Sequence, residues 1–162
     1  MKMIALITCF LVSVYTLKSQ QIPSWKINDV AAYYGKPSDS VYVVNFWATF
    51  CKPCIAEIPY LQTVSRKYAA QKVKLLLVSL DLPSFYPRQV AAFARKNNIG
   101  AEIVWLNESD ADKFCPVIDP RWTGSMPATL FVNGATGYKK FFEEAMSEEM
   151  FERELKKAIA GK

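Results

Sequence analysis

The chain has 162 residues, of which 51% are hydrophobic, 22% charged and 14% aromatic; this composition excludes extensive disorder, and the length gives room for one domain. Its formal charge of +5 is modest and comes with no Lys/Arg run of the kind that marks a nucleic-acid surface. There is no histidine, which excludes Ser-His-Asp triads, Cys-His nucleophiles and His-ligated metals and leaves chemistry to four cysteines, the carboxylates, Lys and Tyr.

Residues 1–19 (MKMIALITCFLVSVYTLKS) carry Lys2, then a mainly apolar stretch over 4–17, then the small Ser19. This layout predicts a secretory signal peptide. Leu17 is bulky for a position three before a cut, so an uncleaved membrane anchor is the rival reading. Spanning a bilayer takes about 20 apolar residues, and this stretch is shorter and holds Thr8, Ser13 and Thr16. Either reading places the chain in the periplasm or otherwise outside the cytoplasm, with residues 20–162 as its single domain.

Beyond that segment, residues 27–34 read as a short helix ended by Gly35 and Pro37. Residues 41–47 (VYVVNFW) form a nearly continuous apolar run, as expected of a strand buried on both faces of a parallel sheet. Residues 48–54 (ATFCKPC) follow, and Cys54, Ile58, Leu61, Val64 and Tyr68 then recur at helical spacing, with Pro59 expected to kink that helix. Residues 73–80 (VKLLLVSL) are a second buried strand, completing a βαβ unit. A helix over 88–98, a short strand over 103–106 and a helix capped by Ser109 and running through Cys115 come next. Residues 128–132 and 138–142 read as a hairpin around Asn133-Gly134. A closing helix spans 147–160, with acids in its first turn, lysines in its last and Gly161 beyond.

A strand, a short turn and C-x-x-C opening a helix is a specific arrangement. Helix N–H groups and the positive end of the helix dipole favour a thiolate on the first cysteine. Cys51 is therefore assigned as the nucleophile and Cys54, one turn inward, as the resolving thiol of a redox disulfide. Two other readings stay open on the residues alone. Half of a zinc site would need two more ligands, for which only Cys115 and carboxylates remain. A structural clasp would close so small a ring that it adds little stability.

The run Asn45-Phe46-Trp47-Ala48-Thr49-Phe50-Cys51-Lys52-Pro53-Cys54-Ile55-Ala56-Glu57-Ile58-Pro59 resembles the active-site segment of thioredoxin-like proteins, and among them the exported TlpA/ResA group of thiol-disulfide oxidoreductases. Ser125-Met126-Pro127-Ala128-Thr129 resembles that group's second motif, and the resemblance covers about residues 40–160. It implies an α/β, thioredoxin-like fold with a central mixed β-sheet flanked by helices. It also implies no cofactor or metal, protein thiols and disulfides as substrates, and a membrane-embedded electron donor.

At matching positions it implies that Pro127 follows a cis bond, which leaves the Met126 backbone free to pair with a substrate strand. Glu57 matches an acidic residue placed to shuttle a proton from the buried thiol or to raise its pKa; otherwise it is a solvated helix residue. Asn45 stands where cytoplasmic thioredoxins carry a buried Asp, and Phe50 where Trp is usual. Phe50, Trp122 and Met126 are candidates for an apolar face that receives partners, with core packing the plainer reading for Trp122. Cys115 is expected to be a buried small hydrophobe.

The function expected is that of an extracytoplasmic reductant of protein disulfides, of the kind used in cytochrome c maturation. The alternatives are a DsbA-like thiol oxidase and a non-catalytic binding module on the same fold. A peroxidase on a related fold would need Thr three residues before its cysteine, where this chain has Ala48.

Overall fold

The run Val41–Trp47, apolar or aromatic except at Asn45, forms the central strand of the molecule, buried at every position. The chain's computed structural model describes residues 21–162, and the readings made for residues 1–19 lie outside the described residues. Among the described residues the strands are β1 (Ser24–Trp25), β2 (Val41–Trp47), β3 (Val73–Ser79), β4 (Glu102–Leu106), β5 (Ala128–Asn133) and β6 (Tyr138–Phe142). The helices are α1 (Ile27–Gly35), α2 (Lys52–Lys67), α3 (Arg88–Lys96), α4 (Ala111–Ile118) and α5 (Glu148–Ala160).

The strands form one sheet in the order β1-β4-β3-β2-β5-β6. The first four in that order run parallel; β5 is antiparallel to β2, and β6 to β5. This is the expected mixed sheet of a thioredoxin-like α/β fold.

Alternate side chains of a strand point to opposite faces, and β2 has helices on both. Tyr42, Val44 and Phe46 pack with Val30 of α1 and Ile118 of α4. On the other face, Val41 and Val43 meet Leu61 and Val64 of α2 and Phe151 and Leu155 of α5. Trp47 meets Ile58 of α2 and Val90 and Ala94 of α3. Each such side chain contributes about 1.5–3 kcal/mol on full burial, so a continuous apolar run is what a strand covered on both faces requires. Asn45 points to the α2 face as the one polar member, which matters below.

Several elements differ from the sequence expectations. β1 was not foreseen: two residues carry no periodicity. The segment is held by its backbone, with the Trp105 amide donating to the Pro23 carbonyl and the Asn107 amide to the Trp25 carbonyl, each at 2.8 Å. The fourth helix begins after Asp110 rather than at Ser109, and continues past Cys115 through Pro116 to Ile118. The β5–β6 connection is longer than a two-residue Asn-Gly turn: the Gly137 amide donates to the Asn133 carbonyl at 2.9 Å, and Gly137 takes a positive φ of 76°. α2 runs through Pro59 to Lys67, as the helical spacing from Cys54 to Tyr68 predicts. The closing helix matches its signals: Ser147 Oγ accepts from the Met150 amide at 3.2 Å, and Gly161 ends it with φ 69°.

Candidate active site

β2 ends at Trp47 and α2 begins at Lys52, so four residues make the turn that presents Cys51. The turn is tied at its base: the Leu80 amide donates to the Trp47 carbonyl at 2.7 Å, and the Cys51 amide to the Ala48 carbonyl at 3.1 Å. Cys51 is the N-cap of α2, and its Sγ accepts from the Cys54 amide at 3.3 Å. A disulfide joins Cys51 and Cys54. Cys51 is partly exposed and Cys54 fully buried, so an incoming sulfur meets Cys51 first. Once the pair is reduced, the amides and dipole of the first turn stabilise negative charge on Cys51. No acidic residue stands in that turn to oppose it.

Glu57, one turn beyond Cys54, is not a solvated helix residue: it is 1% exposed. Its Oε1 accepts from Asn45 Nδ2 at 2.7 Å and its Oε2 from the Met146 amide at 3.2 Å. Burial pushes its carboxyl up to about 7, against the lowering pull of those two donors. A carboxyl at that value exchanges a proton readily near neutrality. Asn45 also donates to Thr129 Oγ1 at 3.0 Å, while its Oδ1 is buried without a partner.

The second motif arrives on β5. Its register sets Ala128 opposite Phe46, which brings the residues just before β5 alongside the end of β2. The Met126–Pro127 bond is cis, Pro127 is buried, and Met126 is partly buried in the cluster that contains Cys51 and Cys54. The loop before it is held by Glu143, whose Oε1 accepts from the Thr123 amide at 2.9 Å, the Ser125 amide at 3.0 Å and the Thr123 hydroxyl. Partial burial pushes the Glu143 carboxyl up, but these bonds outweigh it and hold it below the usual carboxylate range.

Trp122 does not lie on an exposed face with Phe50 and Met126. It is 5% exposed, packed among Phe46, Phe114 and Phe141, and its indole N–H donates to the Ser125 carbonyl at 3.0 Å. Large side chains that do reach solvent are Phe50, next to Cys51 in the chain and 53% exposed, and Leu82, next to Asp81 and 55% exposed. Phe85 meets Phe50 edge-on at 6.2 Å. Leu82 and Phe85 went unrecognised in the sequence because they sit in a loop without periodicity.

Asp81 also went unrecognised. It directly follows the buried apolar run of β3, an acid at the carboxyl end of a parallel strand, where sites on α/β sheets gather. Cys115 is free and buried, with burial raising its thiol to about 11. Among the described residues no three metal-ligating side chains come together.

The profile of the AhpC/TSA family matches residues 15–136, three quarters of the chain. The chain belongs to the AhpC/TSA family. It is 27% identical over 136 residues to a thiol-disulfide oxidoreductase ResA of Geobacillus kaustophilus, covering 82% of this chain and 73% of that one. It is 29% identical over 112 residues to the ResA of Geobacillus thermodenitrificans, covering 69% of this chain and 59% of that one, so the match leaves a substantial part of such relatives unspanned.

Among solved structures, a thioredoxin-related protein from Neisseria meningitidis superposes with a TM-score of 0.65 at 20% identity, covering 78% of this chain and 90% of the other. A thiol:disulfide interchange protein from Chlorobium tepidum gives 0.62 at 18% identity, covering 80% and 84%. These likenesses establish the thioredoxin-like fold. As for peroxidase chemistry, Ala48 offers no hydroxyl three residues before Cys51, and the hydroxyl of Thr49 is committed to Asp81.

Proposed function

We propose that the protein is a thiol-disulfide oxidoreductase that exchanges electrons with protein thiols and disulfides through Cys51 and Cys54, outside the cytoplasm, and that it works as a reductant. The observation that carries this is the seat of the pair: a disulfide at the first turn of α2, with Cys51 open to a partner and Cys54 closed behind it. In the reduced protein the Cys51 thiolate attacks a substrate disulfide, expelling one substrate thiolate and forming a mixed disulfide. Cys54 gives up its proton, with Glu57 as the acceptor, and attacks Cys51 Sγ. The second substrate thiolate leaves, the Cys51–Cys54 bond forms, and two electrons have passed to the substrate.

In this reading Phe50, Met126, Leu82 and Phe85 form the apolar rim that receives the partner, and Trp122 supports the Pro127 loop through its bond to the Ser125 carbonyl. The free backbone of Met126 takes an extended segment of the substrate by strand addition. Export follows from the pattern of residues 1–19. The reductant direction, a membrane-embedded donor that restores the thiols, and a role in cytochrome c maturation rest on the resemblance of the two motifs to the TlpA/ResA group.

Equilibration in thiol/disulfide buffers tests the direction. A reduction potential near the thioredoxin value of about −270 mV supports a reductant, and one near the DsbA value of about −120 mV would make the protein an oxidant. Trapping of mixed disulfides by a Cys54→Ser variant tests the exchange itself; no trapped partner and no insulin reduction by the wild type would leave a binding module in its place.

A further inference from the structure

The chemistry proposed above requires Cys51 to stay seated at the N-terminus of α2, but the residues that seat it are not those of the cysteine motif alone. The turn from Ala48 to Cys51 contributes one internal backbone bond, from the Cys51 amide to the Ala48 carbonyl. A second set of bonds crosses to it from the end of β3. Asp81, 3% exposed, accepts the Thr49 amide at 3.1 Å on both carboxylate oxygens and the Thr49 hydroxyl on Oδ1.

Asp81 is itself fixed from two sides. Its Oδ2 accepts from Ser79 Oγ at 2.7 Å, and its carbonyl accepts the Trp105 indole N–H at 2.7 Å. Trp105 in turn stacks on Tyr86 with ring centroids 4.2 Å apart. No lysine or arginine forms an ion pair with Asp81 among the described residues. A buried carboxylate satisfied by a backbone amide and two hydroxyls, with no cation, is an expensive way to stabilise a fold. Its Thr49 donors lie two residues before the reactive sulfur, where geometry decides thiolate stability.

We propose that Asp81 is a positioning residue for the reactive sulfur: its carboxylate pins Thr49, and through it the turn that seats Cys51 on the amides of α2. Because Leu82 follows Asp81 directly and Phe85 lies in the same loop, the same clamp registers the apolar loop against Phe50. The proposal rests on the exchange reading only in naming Cys51 as the reactive thiol. Its test needs no substrate, so the two can fail separately.

The test is alkylation of the reduced protein by iodoacetamide across pH, with Cys51 modification read by mass spectrometry and folding by circular dichroism. Asp81→Ala removes the acceptor; the Cys51 thiol pKa is expected to rise by about one unit and alkylation at neutral pH to slow about tenfold, the scale of one or two lost hydrogen bonds to a charged group. Asp81→Asn keeps an acceptor for Thr49 and turns its amide toward Ser79 Oγ, and is expected to stay within about threefold of wild type. Thr49→Val removes the hydroxyl while keeping the backbone amide; it is expected to slow alkylation about threefold and tests the clamp even if Asp81→Ala does not fold. A folded Asp81→Ala protein with wild-type thiol pKa and rate would overturn the proposal. So would a Thr49→Val protein with wild-type behaviour, or an Asp81→Asn protein as slow as Asp81→Ala, which would show that an acceptor for Thr49 at this position does not seat the sulfur.

Discussion

Two loops far apart in the chain meet at the disulfide, and each is pinned by a carboxylate from elsewhere, but they are pinned differently. Thr49, before Cys51, is bound by both oxygens of the buried Asp81. Residues 123–125, before Pro127, are bound by one oxygen of Glu143, which is partly exposed. Water cannot replace the first set of bonds, whereas it competes with the second. The turn that carries Cys51 is therefore held by bonds closed to water, and the loop before Pro127 by bonds open to it.

The sharpest break in this comparison is chemical. Cys51→Ser is expected to abolish disulfide exchange in an insulin-reduction assay, since nothing on the Pro127 side can substitute for the sulfur. Cys54→Ser should instead accumulate mixed disulfides, visible on non-reducing gels. Activity in Cys51→Ser with no trapping by Cys54→Ser would reverse the assignment.

Glu57 sharpens the contrast from behind the buried thiol. Its carboxyl is raised from 4.5 to about 7 in the folded protein, so the native state holds that proton more tightly than the unfolded chain does. The ionised group costs stability: the penalty is full above about 7, shrinks as the pH falls, and is gone below about 4.5. Melting temperature in the wild type should therefore gain on acidification across that window relative to Glu57→Gln. The variant should also lose the inflection near neutrality in the rate of the resolving step. Parallel melting curves across pH for the two proteins would remove Glu57 from the titration.

Glu143→Ala tests the looser loop. Discounted for exposure, the lost bonds are worth about 1 kcal/mol. KM for a protein substrate should rise about fivefold, while alkylation of Cys51 stays at the wild-type rate. A fall in Cys51 reactivity would show that the two loops are not held independently.

The smallest effect is expected at the rim. Phe50→Ala and Leu82→Ala should each raise KM about two- to fivefold with kcat unchanged, the worth of part of an exposed apolar side chain. A small thiol substrate, which does not reach the rim, should be turned over as by wild type.

Much of this was legible in the sequence where the signal is local. A strand covered on both faces has to be apolar along its length, so β2 could be read directly from VYVVNFW. The helix after Cys51 followed from the spacing of Cys54, Ile58, Leu61 and Val64, and the closing helix from Ser147 and Gly161. The cysteine pair followed from a motif four residues long.

What the tertiary structure alone decided concerns groups whose partners are distant in the chain. Glu57 is buried because the Met146 amide and Asn45 close over it, 89 and 12 residues away. Trp122 is inside because Phe46 and Phe141 reach it from two strands, and Leu82 is outside because no element covers its loop. Asp81 and Glu143 look like surface acids in the sequence, and only the sheet brings Thr49 to one and Thr123 to the other. Side-chain periodicity reports which face of its own element a residue occupies; it carries no information about which distant donor will meet a carboxylate there, and the tuning of this site depends on those donors.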